Sequence, residues 1–84
     1  MKANIFLRDT KLVETSGGAT IRYSNVNKKT FNVVRELLDG FDEIEIFTDT
    51  FCVETDLGFI DYLILNNYKV KLTFNNNINS IKEF

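Results

Sequence analysis

The chain has 84 residues, 44% of them apolar and 26% charged, with 12 acidic and 10 basic side chains and a formal net charge of −2. That suffices for one small domain with a modest core, and the ordinary globular composition argues against wholesale disorder. There is no histidine, which excludes serine–histidine and cysteine–histidine nucleophile systems; nothing stands at zinc-finger spacing, and no apolar run is long enough to cross a bilayer. A single cysteine, Cys52, and an N-terminus without a signal peptide's apolar segment lead us to expect a soluble protein of the reducing cytoplasm.

Ala3 to Arg8 and Leu12 to Thr15 read as short strands on either side of the polar turn Asp9-Thr10-Lys11. Ser16-Gly17-Gly18 has neither the glycine spacing nor the lysine of a phosphate-binding loop, and reads as a hairpin turn leading into a third strand, Ala19 to Ser24. Ala19, Ile21 and Tyr23 share one face of that strand. From Lys28 to Asp39 the period becomes helical, with Phe31, Val34, Leu37 and Leu38 on the apolar side, Asn27 or Thr30 to cap the start and Gly40 to end it.

Glu43 to Thr48 returns to strand character, and Phe47 and Phe51 read as core residues. Cys52, flanked by Phe51 and Val53, reads as core filling too. Leu57 to Asn67 is a second helix begun by Thr55 or Asp56, with apolar residues around most of its circumference. Tyr68, Val70, Leu72 and Phe74 then alternate with Lys69, Lys71 and Thr73, the pattern of a strand with one wet face. Residues 75–84 read as a loosely held tail, so the domain spans 1–74.

The expected order is βββαβαβ, a single two-layer α/β (α+β) domain with a mixed sheet of four to five strands. Both helices are expected on one side, leaving the other sheet face open. If the strands Glu43 to Thr48 and Tyr68 to Phe74 are parallel neighbours, Glu43 and Glu45 lie beside Lys69 and Lys71.

Charge is distributed unevenly. From Glu36 through Tyr68 there are nine carboxylates and no lysine or arginine, so this segment carries −9 and the rest of the chain +7. The first helix has Lys28 and Lys29 in its first turn and Glu36 and Asp39 in its last, against its own dipole at both ends. We take Glu36, Asp39, Asp42, Asp49, Glu54 and Asp56 as candidate partner-binding residues, and expect no catalytic residue, metal or cofactor. The leading expectation is a non-enzymatic module that docks its acidic face on the basic surface of a nucleic-acid-binding protein. Phage- or mobile-element-encoded inhibitors of host defence, such as anti-CRISPR proteins, are the class this suggests. Direct nucleic-acid binding is disfavoured because the acidic segment repels phosphate.

Two alternatives stand beside it. The stretches Ile5-Phe6-Leu7-Arg8-Asp9 and Ile46-Phe47-Thr48-Asp49-Thr50, with the order of three strands, helix, strand, helix, strand, resemble the ribonuclease H-like fold. That resemblance implies a metal-dependent nuclease with Asp9 and Asp49 as metal-binding carboxylates; Glu36 stands at the opposite end of the helix from the family's acid. In the other alternative, a self-associating structural protein, the basic flanks meet the acidic segment of a second copy to give a homodimer, and short edge strands offer pairing sites.

Overall fold

The computed structural model describes residues 1–74 and 81–84. In chain order the elements are β1 (Lys2–Leu7), β2 (Ala19–Tyr23), a single 3-10 turn (Lys28–Thr30) running into α1 (Phe31–Leu37), β3 (Glu43–Thr48), α2 (Val53–Leu65), β4 (Lys69–Phe74) and β5 (Ile81–Glu83). The five strands form one mixed sheet in the order β2-β1-β3-β4-β5. The first four are mutually parallel, and β5 runs antiparallel to β4. The class is the expected α+β domain. No helix among the described residues is long and apolar enough to cross a membrane.

The beginning of the chain departs from expectation. Leu12 to Thr15 is not a strand, and β2 pairs with β1 in parallel, Ala3 opposite Ala19 and Leu7 opposite Tyr23. The glycines therefore make no hairpin. Gly18 has φ 88° and lies so close to β1 that a Cβ there would sit 2.0 Å from the Lys2 carbonyl oxygen. Its role is close backbone approach, which only glycine permits. The three-strand run on which the ribonuclease H-like resemblance rested is absent.

Alternation in β1, β3 and β4 sends Ala3, Ile5, Leu7, Ile44, Ile46, Val70 and Leu72 to one face, where α1 supplies Phe31 and Val34 and α2 supplies Phe59, Ile60 and Leu63. Phe59 is fully buried, with its ring 5.0 Å from Tyr23 and 5.3 Å from Phe31 between centroids. Burial of such a side chain contributes about 1.5–3 kcal/mol. Asn27 caps the 3-10 turn through its side chain, accepting from the Lys29 N–H, and Thr30 completes a capping box. Leu37 is not part of the core; it is 59% exposed, because Leu38 takes the inward position as α1 ends. Asn67, with φ 69°, closes α2 in the left-handed conformation that asparagine tolerates.

The other face is less open than the alternation implies. The segment from Arg8 to Gly18 runs back across it. Asn4 Nδ2 donates to Gly17 O at 2.8 Å and to Thr15 Oγ1 at 3.3 Å, and Lys2 Nζ donates to Ser16 Oγ at 3.2 Å. Asn4 is completely buried, and beside it Phe6 and Phe47 stack at 4.6 Å between ring centroids with planes 8° apart. Phe47 is thus buried outside the main core, while Phe51 is half-buried against Phe74. Of the tail expected to be loose, residues 75–80 lie outside the described residues, and Ile81–Glu83 form β5.

Candidate functional site

Parallel strands give a sheet two chemically different ends. A helix that joins two parallel strands must run back against them, so the C-termini of α1 and α2 lie at the end where the strands begin, here called the amino end. Both helix N-termini lie at the carboxyl end. Eight of the nine carboxylates of the acidic segment divide between these two ends and the sheet face, and the ninth, Asp61, is exposed in the body of α2.

At the amino end, Glu36 in the last turn of α1 and Asp39 just beyond it are exposed. Gly40, with φ 89°, then turns the chain toward β3. Asp42 is exposed and accepts from the N-terminal ammonium of Met1 at 2.6 Å. That hydrogen bond, the charge of the amine and, more weakly, Lys69 hold the Asp42 carboxyl below its ordinary value. The carbonyl ends of the two helices add partial negative charge to the same end. Apolar surface is present as well, with Leu37 59%, Leu65 82% and Ile64 41% exposed.

At the carboxyl end Asp56 and Asp49 are held by the protein itself. Asp56, expected at the surface as a partner-binding residue, is instead buried at 1% exposure. Arg8 grips it with both terminal nitrogens, Nη1 to Oδ1 at 2.9 Å and Nη2 to Oδ2 at 2.7 Å. The Cys52 backbone N–H donates to Asp56 Oδ2 at 2.9 Å, so Asp56 satisfies the first N–H of α2 from within the helix rather than from in front of it. Arg8 also donates to Thr50 O at 2.7 Å. The hydrogen bond to Asp56 leads the causes that raise the Arg8 pKa, against the opposing effect of burial. Arg8 adopts φ 53°, a left-handed conformation unusual for a residue with a side chain, immediately after β1. Asp49 accepts from the Lys11 N–H at 3.2 Å, while its own N–H donates to Thr10 Oγ1 at 3.0 Å. Glu54 is exposed in the first turn of α2, where a carboxylate favours the helix dipole. Cys52 is exposed at the N-cap of α2, not in the core, because the chain leaves the sheet at Thr48 and climbs to the helix through this residue.

A shallow cleft of about 430 Å³ lies here between the loops that follow β1 and β3, lined by Arg8, Asp9, Thr10, Thr48, Asp49, Thr50 and Cys52. It sits where the chain first moves from one side of β1 to the other, the position at which open parallel sheets commonly bind ligands. Asp9 and Asp49, the two carboxylates implied by the nuclease resemblance, both line it. Among the described residues no group of three or more His, Cys, Asp or Glu side chains is arranged to hold a metal ion.

The sheet face accounts for two more acids. Glu43 lies opposite Lys69 and Glu45 opposite Lys71, the expected parallel pairing, and Glu83 of β5 extends the row beside Lys71. Glu45 also takes a salt bridge from Lys2 at 2.5 Å and a hydrogen bond from Thr73 Oγ1 at 2.9 Å. Burial alone would raise its carboxyl; the bonds from Lys2 and Thr73, with the charges of Lys2 and Lys71, outweigh burial and hold it below the ordinary value.

The structure therefore brings together Glu36, Asp39 and Asp42 and sets them apart from Asp49, Glu54 and Asp56. The six residues of β3 separate the two groups by about 20 Å at 3.3 Å per residue. The residue the acidic count overlooked is Arg8, which neutralises Asp56 from 48 positions away. The one legible sign of it was an arginine at the end of an apolar strand. Comparison of the chain with protein-family models, with curated proteins and with solved structures finds no significant match.

Proposed function

We propose that the chain is a non-enzymatic protein-interaction module of the cytoplasm whose amino end docks on a basic surface of a nucleic-acid-binding protein. The observation that carries this reading is the placing of Glu36, Asp39 and Asp42, all exposed, at one end of the molecule, where Leu37 is exposed as well. Carboxylates and helix carbonyl ends steer a basic partner at long range, and an exposed apolar side chain at the same end supplies a contact that excludes water. A surface that ordinarily takes up phosphates has the required density of lysine and arginine. A module seated there excludes nucleic acid, which is the action of an inhibitor.

The test is capture from cell lysate at low and moderate salt, comparing the unaltered chain with Glu36→Lys/Asp39→Lys/Asp42→Lys and with Glu54→Lys as the reversal at the opposite end. The docking reading expects one basic protein to be recovered by the unaltered chain and by Glu54→Lys, less of it at the higher salt, and none with the triple variant. Equal recovery by the triple variant overturns it. A second reading rests on Asp9 and Asp49 lining one cleft, and is metal-dependent phosphodiester cleavage. Lack of cleavage of single-stranded, duplex and hybrid substrates with Mg²⁺ or Mn²⁺ disposes of that reading.

A further inference from the structure

Among the described residues β2 has a neighbour on one side only. The Arg8 N–H donates to Tyr23 O, and in a parallel ladder each strand turns alternate residues to the same neighbour. Ala19, Ile21 and Tyr23 thus face β1 with their backbone groups, and the N–H and C=O of Thr20 and Arg22 point outward. Edge strands are usually guarded by a projecting charge, a proline or a bulge. β2 has no proline, and its one charged side chain is tied to the loop after β1: Arg22 Nη1 donates to Arg8 O at 2.6 Å and to Thr10 O at 2.7 Å. The edge is left without a guard.

The helix α1 links β2 to β3 and lies beside α2. Asn32 and Arg35 hydrogen-bond to α2 through Tyr62 and Asn66, so the opposite flank, with Val33 and Leu37, faces away from α2 and toward the β2 side. Both side chains are 59% exposed. The ends of this segment carry opposite charges, Lys28 and Lys29 at its start and Glu36 and Asp39 at its finish, all exposed. Within one chain this arrangement opposes the helix dipole at both ends.

We propose that this edge is a homodimer interface, in which β2 pairs antiparallel with the β2 of a second copy about a two-fold axis at Ile21. The register follows from the backbone. Thr20 of each copy faces Arg22 of the other, and both turn their N–H and C=O outward, which makes each such pair a hydrogen-bonded one. The same axis lays the two α1 helices antiparallel, Val33 and Leu37 against their counterparts. It also brings Lys28 and Lys29 of each copy to Glu36 and Asp39 of the other. The charge order that burdens a single helix becomes complementary between two, and this complementarity identifies the occupant as a second copy rather than an unrelated strand. The result is one continuous sheet of ten strands.

Sedimentation equilibrium from micromolar to submillimolar concentration, at low salt, tests the proposal. The expected result is a reversible dimer. Thr20→Pro removes an outward N–H without touching the β1 ladder, and should weaken the dimer by about tenfold or more. A pair of charge variants serves as a second test that does not depend on the strand. Glu36→Lys/Asp39→Lys leaves five positive charges along the segment, Arg35 included, and Lys28→Glu/Lys29→Glu leaves four negative ones around Arg35. Each should be monomeric alone, and the two mixed should form a heterodimer. A monomer throughout, or a dimer that both Thr20→Pro and the charge variants leave intact, overturns the proposal. The second copy and the basic partner proposed above compete for Glu36 and Asp39, yet the two readings separate: Asp42→Lys weakens docking alone, and Thr20→Pro weakens dimerisation alone.

Discussion

The two ends of the parallel sheet draw on the same acidic stretch of sequence and treat it in opposite ways. At the carboxyl end the chain folds two of its carboxylates into its own structure, Asp56 held by Arg8 and the Cys52 N–H and Asp49 by the Lys11 N–H. At the amino end Glu36 and Asp39 stay at the surface, and Asp42, exposed too, meets the terminal amine. Charge density along a sequence is therefore a poor guide to charge density on a surface. What decides the outcome is whether a basic side chain from elsewhere in the chain reaches each carboxylate, and how much water is displaced when it does.

That contrast can be broken most forcefully at the carboxyl end. Arg8→Met should leave the Asp56 carboxylate buried with no cation and destabilise the fold by about 3 kcal/mol, read as a lower urea midpoint. If the loss is small, Asp56 is not held as tightly as its geometry implies. Gly18→Ala comes next. A Cβ 2.0 Å from the Lys2 carbonyl, on a backbone at φ 88°, forces the loop off β1, with an expected cost of at least about 2 kcal/mol in the same assay.

Glu45 lies between the extremes, and its effect is one of pH. Its folded carboxyl titrates below the ordinary value of 4.5, so the unfolded chain takes up the proton first. The stabilisation it gives is fully present above that value and is lost as pH falls from there through the folded pKa. Glu45→Gln should flatten the stability profile over that acidic window and leave its slope above it unchanged; denaturation midpoints through the range decide this. The smallest effect belongs to Asp42. Its partner is the terminal ammonium of Met1 and both groups face water, so Asp42→Asn should leave the denaturation midpoint unchanged within error. A clear loss there would mean that the amino end, too, relies on its acids for folding.

Much of the fold could be read from side-chain period alone. Strand β3 falls on Glu43–Thr48 as expected, and its parallel pairing puts Glu43 beside Lys69 and Glu45 beside Lys71. Asn27 caps where a capping residue was expected, and α2 ends at Asn66 and Asn67. The failures share a cause. Leu12 to Thr15 lies between turn-like residues and so resembles the second arm of a hairpin, but nothing local shows that the chain crosses the sheet instead of reversing. Asn4 and Glu45 occupy polar positions in the alternation, on the sheet face expected to be open, yet they are buried. A segment distant in sequence covers Asn4, and Lys2 with Thr73 surrounds Glu45. Of the site, the identities of the acids were legible and their partners were not, since Arg8 and Asp56 meet only after the sheet has formed.

The position of β1 bears on how the chain is made. Of the five strands it is the first to be synthesised, yet it is internal to the sheet, bordered by β2 on one side and by β3, some forty residues later, on the other. Until Glu43–Thr48 has emerged, Ile5, Phe6 and Leu7 lack half of their cover and one side of their backbone pairing. Contacts so distant in sequence form slowly, and an apolar strand waiting for its neighbour is open to the wrong one. Synthesis rate, and whatever attends the nascent chain, should therefore affect the yield of this small protein more than its size suggests.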